Sequence, residues 1–294
     1  MSTSHSNSGL SDAVKIQIAS EAGQGLHHYL VESSVVMFDE DPRKNELSSG
    51  TLVTIEGRVF VATAAHNIPQ NPAGSLQILP DKPRPKSIGI LRPGLSGKNH
   101  QYDVGFLELC PNAVAEYFPR KRCCSLDQIS IEGTGDPKQL MVLVGSPGQF
   151  VSYAKAESDP PFVAKQIAIT TTVLDQTEWP LHLNGKAVDS NSDVLLNYTQ
   201  TGWINLETGE PIQLDTPHGF SGGGLWLAKI QPSVIWSPDA SKLFAIDIEW
   251  DSDLRVVKAT QIIHWLNLMR TRVPELRTHL EAKFPQLTAM PLMA

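Results

Sequence analysis

The sequence predicts an all-β fold, two antiparallel β-barrels followed by a C-terminal helix. Three observations carry that prediction. Twenty-one prolines and twenty-one glycines cut the chain into short segments, which favours strands and turns over long helices. Between the breaks lie short runs rich in Val, Ile, Leu, Phe and Thr, the composition of half-buried strands. Three fragments with chemical potential sit at the ends of such runs, far apart in the chain: Thr63-Ala64-Ala65-His66, Tyr102-Asp103-Val104-Gly105 and His218-Gly219-Phe220-Ser221-Gly222-Gly223-Gly224.

Residues 1–28 read as a polar extension in which Leu10 to Ala22 forms a short amphipathic helix, ended near Gly23 and Gly25. The first barrel is expected over residues 29–126. It begins with a strand from Tyr29 to Phe38. A hairpin follows, with strands Thr51 to Ile55 and Arg58 to Thr63 joined by a turn at Glu56-Gly57, and it delivers His66 just past a strand end. Further strands are expected at Ser75 to Leu79, Ser87 to Leu91 and Val104 to Leu109. The second barrel, residues 127–257, repeats the pattern with strands at Met141 to Val144, Lys165 to Val173, Asp193 to Tyr198, Leu225 to Ala228 and Leu243 to Trp250. From about Ala259 the period becomes helical through Ile262, Ile263, Trp265, Leu266 and Met269. Pro274 opens a second short helical stretch to about Lys283, and residues 258–294 thus hold C-terminal helices and a loose tail.

Composition bounds the function. A chain of 294 residues that is 41% hydrophobic can bury one large core or two ordinary ones. A formal net charge of −7 gives no electrostatic case for a nucleic-acid or anionic-membrane partner. No apolar run approaches the roughly 18 residues needed to cross a bilayer. The start, Met1-Ser2-Thr3-Ser4-His5-Ser6, lacks the apolar stretch of a secretory signal. A cytoplasmic location is the default expectation. Cys110 and the adjacent Cys123-Cys124 make an odd set without a CxxC pair, so they are expected to be reduced and structural. No cofactor or metal site is signalled.

The three fragments fit one chemistry when read in the order His, Asp, Ser. A serine hydroxyl attacks well only when an imidazole takes its proton, and a carboxylate fixes the tautomer of that imidazole and stabilises the imidazolium. Glycines around the serine let backbone N–H groups turn toward the negative charge that develops on the substrate oxygen. His66 and Asp103 are 37 residues apart and Asp103 and Ser221 are 118 apart. Such distances suit residues brought together from two lobes, and the order differs from the nucleophile-first order of an α/β-hydrolase. The other eight histidines, His27-His28 included, read as structural.

These fragments resemble the trypsin-like (chymotrypsin-fold) serine peptidases over about residues 30 to 268. Without disulfides or zymogen features, the chain is nearer to bacterial HtrA-type and other intracellular trypsin-like domains than to secreted digestive enzymes. The resemblance implies a double antiparallel β-barrel of the trypsin-like type. In it His66 is the general base, Asp103 its orienting carboxylate, Ser221 the nucleophile, and the N–H groups of Gly219 and Ser221 the oxyanion hole. It also places a substrate pocket at Asp215, six residues before the nucleophile, with Glu249 and Trp250 on the opposite wall. A buried Asp215 would favour Arg or Lys in the substrate, and His218 would border the cleft.

The departures matter equally. Phe220 stands where zymogen-derived relatives carry an aspartate that receives a new N-terminal ammonium, and no Ile-Val-Gly-Gly-like start precedes the first strand. With 26 residues after Leu268, a PDZ-sized region is not expected to follow. The expected function is a serine endopeptidase acting on a polypeptide substrate. Control is expected through restricted access, a regulatory protein partner or a misordered oxyanion loop, with Phe220 and the Ile263/Trp265/Leu266 helix as candidate contact surfaces. A catalytically weak adaptor or sensor module, and an esterase using the same triad, remain alternatives.

Overall fold

The computed structural model describes residues 24–39, 47–70, 72, 76–80, 91–132, 140–153, 162–198, 203–204, 211–228 and 237–293. The expected Leu10 to Ala22 helix and most of the Ser87 to Leu91 strand lie outside them. Two antiparallel sheets make up the molecule. The first runs through β1 (Ser34–Asp39), β2 (Leu47–Ile55), β3 (Arg58–Ala64), β4 (Leu76–Ile78), β5 (Leu91–Asn99) and β6 (Val104–Leu109) in the order β4-β1-β2-β3-β6-β5. The short β7 (Cys124–Ser125) lies parallel to β2.

The remaining strands in chain order are β8 (Leu140–Gly145), β9 (Val151–Tyr153), β10 (Phe162–Ala164), β11 (Ile167–Thr172), β12 (His182–Leu183), β13 (Lys186–Ala187), β14 (Asp193–Asn197), β15 (Trp203–Ile204), β16 (Pro211–Ile212), β17 (Gly224–Leu227), β18 (Lys242–Asp251) and β19 (Val256–Gln261). The second sheet has the order β11-β8-β17-β18-β19-β14, and β9/β10, β12/β13 and β15/β16 pair as separate short ribbons. This is an all-β, trypsin-like pair of antiparallel half-barrels with C-terminal helices.

Period-two side-chain alternation explains how the sheets pack. On β3, Val61 points into the cluster inside the first sheet, with Val35, Met37, Leu52 and Leu107. Its neighbours Phe60, Ala62 and Ala64 point into the large cluster shared with Val104, Trp226, Ile246 and Trp265. On β8, Met141 and Leu143 enter the cluster of the second sheet while Val142 and Val144 join the shared one. Each sheet is therefore covered on both faces, which is why β6 reads as an unbroken buried run. The β2–β3 hairpin turns at Glu56-Gly57, both left-handed with φ of 50° and 74°, the geometry of a two-residue hairpin loop.

Four expectations need correcting. The strand expected from Tyr29 begins only at Ser34. Residues 24–31 are helical instead, because Leu26 and Leu30, spaced one turn apart, both bury in the shared core. The helical period expected from Ala259 starts at Ile262, since β19 runs on to Gln261 and pairs with both β18 and β14. The helix Ile262–Arg272, a candidate contact surface for a partner, instead buries Trp265 and Leu266 in the core and packs on strands of the second half-barrel. It also lies against β6 of the first, where Trp265 Nε1 donates to the carbonyl oxygen of Gly105 at 3.0 Å. Finally, the tail is not loose as far as Met293. Leu287 is fully buried, Asn267 Nδ2 donates to Pro291 O at 2.9 Å, and Arg270 Nη2 donates to Met290 O at 3.0 Å. Among the described residues no helix is long and apolar enough to cross a membrane.

Candidate active site

Both sheets deliver their chemistry-bearing residues to one place. His66 lies in the single 3-10 turn Ala65–Asn67 directly after β3. Asp103 is the residue just before β6, in a left-handed conformation with φ of 53°, which Asp tolerates better than a branched residue would. Because β3 and β6 are hydrogen-bonded neighbours with Ala64 opposite Val104, the two residues emerge side by side. Ala65 N donates to Asp103 O at 3.0 Å and fixes that junction. Ser221 enters from the turn before β17.

The three side chains form one line. Ser221 Oγ lies 2.8 Å from His66 Nε2, and His66 Nδ1 lies 2.8 Å from Asp103 Oδ2. The backbone N–H of His66 donates to the other carboxylate oxygen, Oδ1, at 3.0 Å. Both oxygens of Asp103 are thus engaged by one residue, which leaves the imidazole little freedom to turn. Burial opposes the charge on Asp103, but hydrogen bonds from the His66 ring and backbone outweigh it and hold the carboxyl below its ordinary range. The imidazole is about half exposed at 49%, against 18% for Asp103, so the end of the line that would meet a substrate faces outward.

The turn carrying Ser221 is fixed by its own carbonyls. His218 O accepts from Gly148 N at 2.8 Å, and Phe220 O accepts from Gly223 N at 2.7 Å. In a trans peptide the N–H points opposite to the C=O. The N–H groups of Gly219 and Ser221 therefore point away from those partners, and neither has an acceptor among the described residues. Gly219 has φ of 95°, and a Cβ there would stand 2.1 Å from Ser146 O. Gly222 has φ of 86°, and its Cβ would stand 2.1 Å from Ser49 O. Only glycine fits at either place.

Ser49 on β2 ties the two half-barrels together at this turn. Its N–H donates to Ser221 O at 2.8 Å and its Oγ donates to Gly219 O at 2.6 Å, while Oγ accepts from Ser146 N at 2.9 Å. Thr63 Oγ1 donates to Ser49 O at 2.9 Å, and Asn67 Nδ2 donates to Ser221 O at 3.0 Å. Phe220 is fully buried within the second-sheet cluster. An aromatic ring in the core thus anchors the turn, and Phe220 offers no exposed patch to a partner. Ser49, Asn67 and Gly148 were missed by sequence reasoning. Only Asn67, adjacent to His66, had a local signal.

The expected pocket residues are arranged differently from expectation. Asp215 is exposed, accepting from Gln213 Nε2 at 2.8 Å while its N–H donates to Gln149 Oε1 at 3.1 Å. It is not the buried floor of a pocket. His218 is exposed beside the turn and takes part through its carbonyl. Glu249 accepts from Asn184 Nδ2 at 3.1 Å and Lys186 Nζ at 3.4 Å, so its charge is already met. Trp250 meets Tyr198 edge-on, with ring centroids 5.3 Å apart. Cys110, Cys123 and Cys124 are free thiols, and among the described residues no three His, Cys, Asp or Glu side chains group as a metal site requires.

No protein-family model matches the chain, and no curated protein does. Among solved structures it is similar to a serine endoprotease from Yersinia pestis, at 13% identity and a TM-score of 0.49, over 86% of this chain and 67% of that one. It is also similar to the inactivated protease paralogue S-I1 of the scabies mite, at 13% identity and a TM-score of 0.48, over 81% of this chain and 94% of that one.

Proposed function

We propose that the chain is a serine endopeptidase that cleaves polypeptides through an acyl-enzyme. The reading rests on the Ser221–His66–Asp103 line, with both bonds at 2.8 Å. Ser221 Oγ attacks the substrate carbonyl carbon as His66 Nε2 takes its proton. Asp103 accepts from Nδ1–H and stabilises the imidazolium. The oxyanion meets the N–H groups of Gly219 and Ser221. His66 then passes the proton to the leaving amine, and water, activated by the same imidazole, releases the acyl group and restores Ser221.

The buried Phe220 and the ties from Ser49 support a turn that is formed at rest, so the proposal needs no activating partner. A preference for basic residues is not part of it, because Asp215 is exposed and Glu249 is already paired. The test is reaction with a fluorophosphonate probe and hydrolysis of a diverse peptide library. Wild type should label at Ser221 and cut peptides, and Ser221→Ala and His66→Ala should each lose roughly 10³-fold or more in kcat while remaining folded. Cleavage that persists in a pure, folded Ser221→Ala protein would refute the mechanism. Labelling and cleavage of small esters, with no peptide cut, would favour the esterase.

A further inference from the structure

Beside His66 and Asp103 lies a cavity of about 220 Å³ whose lining does not include Ser221. Its walls include His100, Lys186, Asp193, Ile248, Glu249 and Lys258. At about 30 Å³ per water, it has room for one long polar side chain. The polar groups around it are unequally satisfied. Asp103 has both oxygens engaged by His66. Asp193 Oδ2 accepts from Asp189 N at 3.0 Å, and Glu249 accepts from Asn184 and Lys186.

Lys258 is the exception. Its side chain is only 7% exposed, yet its ammonium stands 3.7 Å from Asp193 Oδ2 and 3.9 Å from Glu249 Oε2. Both separations are ion-pair distances too long for hydrogen bonds, and it makes no hydrogen bond to any described residue. Its Nζ opens into the cavity rather than being sealed in the core, so its three N–H groups face whatever enters. The carboxylates of this cavity have hydrogen-bond donors, whereas the ammonium has two ion-pair partners and no hydrogen-bonded acceptor among the described residues.

We propose that this cavity is a specificity subsite for an acidic side chain of the polypeptide substrate, with Lys258 as its specificity-determining residue. The inference deepens the peptidase reading and rests on it for the word substrate. An incoming carboxylate accepts from Lys258, with Lys186 and His100 nearer the rim. Seated next to His66, it also adds negative charge beside the imidazole that becomes positive during acyl transfer, whereas a basic side chain would oppose that charge. Arginine at position 258 would keep a donor; methionine would keep the length of the side chain and lose every N–H.

The test measures binding with the chemistry removed, so that it is independent of turnover. Peptides carrying Glu, Gln or Lys at each of four positions before a cleavage site found in the library are titrated onto Ser221→Ala protein. If the library yields no site, the same Glu, Gln and Lys scan is run through a fixed eight-residue alanine-rich peptide. At one position Glu should bind roughly tenfold tighter than Gln, as one hydrogen bond to a charged donor implies. Adding Lys258→Met should bring that ratio near one, and Lys258→Arg should keep most of it. Circular dichroism and thermal melts check that each variant is folded. Equal binding of Glu and Gln at all positions, tighter binding of Lys, or an unchanged ratio in folded Lys258→Met would overturn the inference. Failure of wild type to label with fluorophosphonate, alongside a Lys258-dependent Glu preference, would overturn the peptidase reading and leave the subsite standing.

Discussion

The N–H of Gly148 donates to the carbonyl oxygen of His218 at 2.8 Å, and this bond sets the direction of the Gly219 N–H on the other side of the same peptide plane. Gly148→Pro removes the donor and puts the ring Cδ in its place, which drives the His218 carbonyl away. Pro147, with φ of −62° and ψ of 134°, already has the conformation required before a proline, and residue 148 opens a 3-10 turn where proline is tolerated. The His218–Gly219 peptide then rotates, and one of the two proposed oxyanion donors is lost. A fall in kcat of roughly 10²- to 10³-fold with a smaller change in KM is expected. Gly148→Ala keeps the N–H, and its Cβ meets His218 O at an ordinary 3.9 Å, so it should stay close to wild type. Steady-state kinetics on a library-derived peptide decides between them, and equal activity of the two variants would detach this bond from catalysis.

A second prediction concerns Ser49. Its Oγ lies between Ser146 N and Gly219 O at 2.9 and 2.6 Å, all three buried. Ser49→Ala leaves a donor and an acceptor unmet in the interior, at a cost of about 1–3 kcal/mol. Because one of them belongs to the turn of the proposed nucleophile, activity should fall by more than the loss of folded protein accounts for. Denaturant unfolding paired with active-site titration by fluorophosphonate measures both. A variant equally active per folded molecule would make Ser49 structural only.

What the sequence made legible follows from what is local. His66, Asp103 and Ser221 are recognisable because their residue types and glycine neighbours sit at the ends of patterned strands, and the Glu56-Gly57 turn is legible from its own chemistry. The Ser49–Gly219 bond joins residues 170 apart, and nothing near Ser49 marks it. β19 was hidden because Ala259, Ile262 and Ile263 continue an apolar pattern across the strand–helix junction at Gln261. Asp215 shows the limit of counting from a motif, because a position six residues before Ser221 does not specify depth, and the side chain lies at the surface.

A third prediction concerns Asp247, whose backbone N–H donates to Gly223 O at 2.9 Å and whose carbonyl accepts from Gly222 N at 2.7 Å. Its carboxyl is buried, and Oδ1 has no hydrogen-bond partner. Burial, reinforced by the charge of Asp103 and only partly offset by the N–H groups of Ile248 and Glu249, pushes it well above the ordinary carboxylate range. The sign follows from linkage. Below the unfolded value near 3.9 both states hold the proton and there is no penalty; as pH rises through the folded value, the fold pays increasingly for keeping it. Asp247→Asn removes that dependence. Relative to wild type, its stability should rise between pH 4.5 and pH 8 in urea unfolding, and a difference independent of pH would show that the carboxyl does not titrate abnormally.

The last prediction lies at the N-terminal helix, residues 24–31. His27 Nε2 is 3.1 Å from Thr170 Oγ1 on β11, so this ring docks the helix onto the second half-barrel. Burial, helped by the neighbouring His28, lowers its pKa from 6.5 to about 4. For a histidine lowered in the fold, the neutral form is the stabilised one. Its contribution is complete above 6.5, is lost progressively as pH falls from 6.5 toward 4, and loses nothing further below that. The loss amounts to something on the order of 3 kcal/mol if the unfolded residue titrates normally. His27→Gln keeps a polar group facing Thr170 and cannot be protonated in this range. Urea unfolding at pH 7, 5.5 and 4 should therefore show wild type losing more stability than His27→Gln on acidification, with most of the gap opening between pH 6.5 and 4. Parallel acid profiles for the two proteins would mean that His27 is solvated in solution and that the docking of the helix does not depend on its neutral ring.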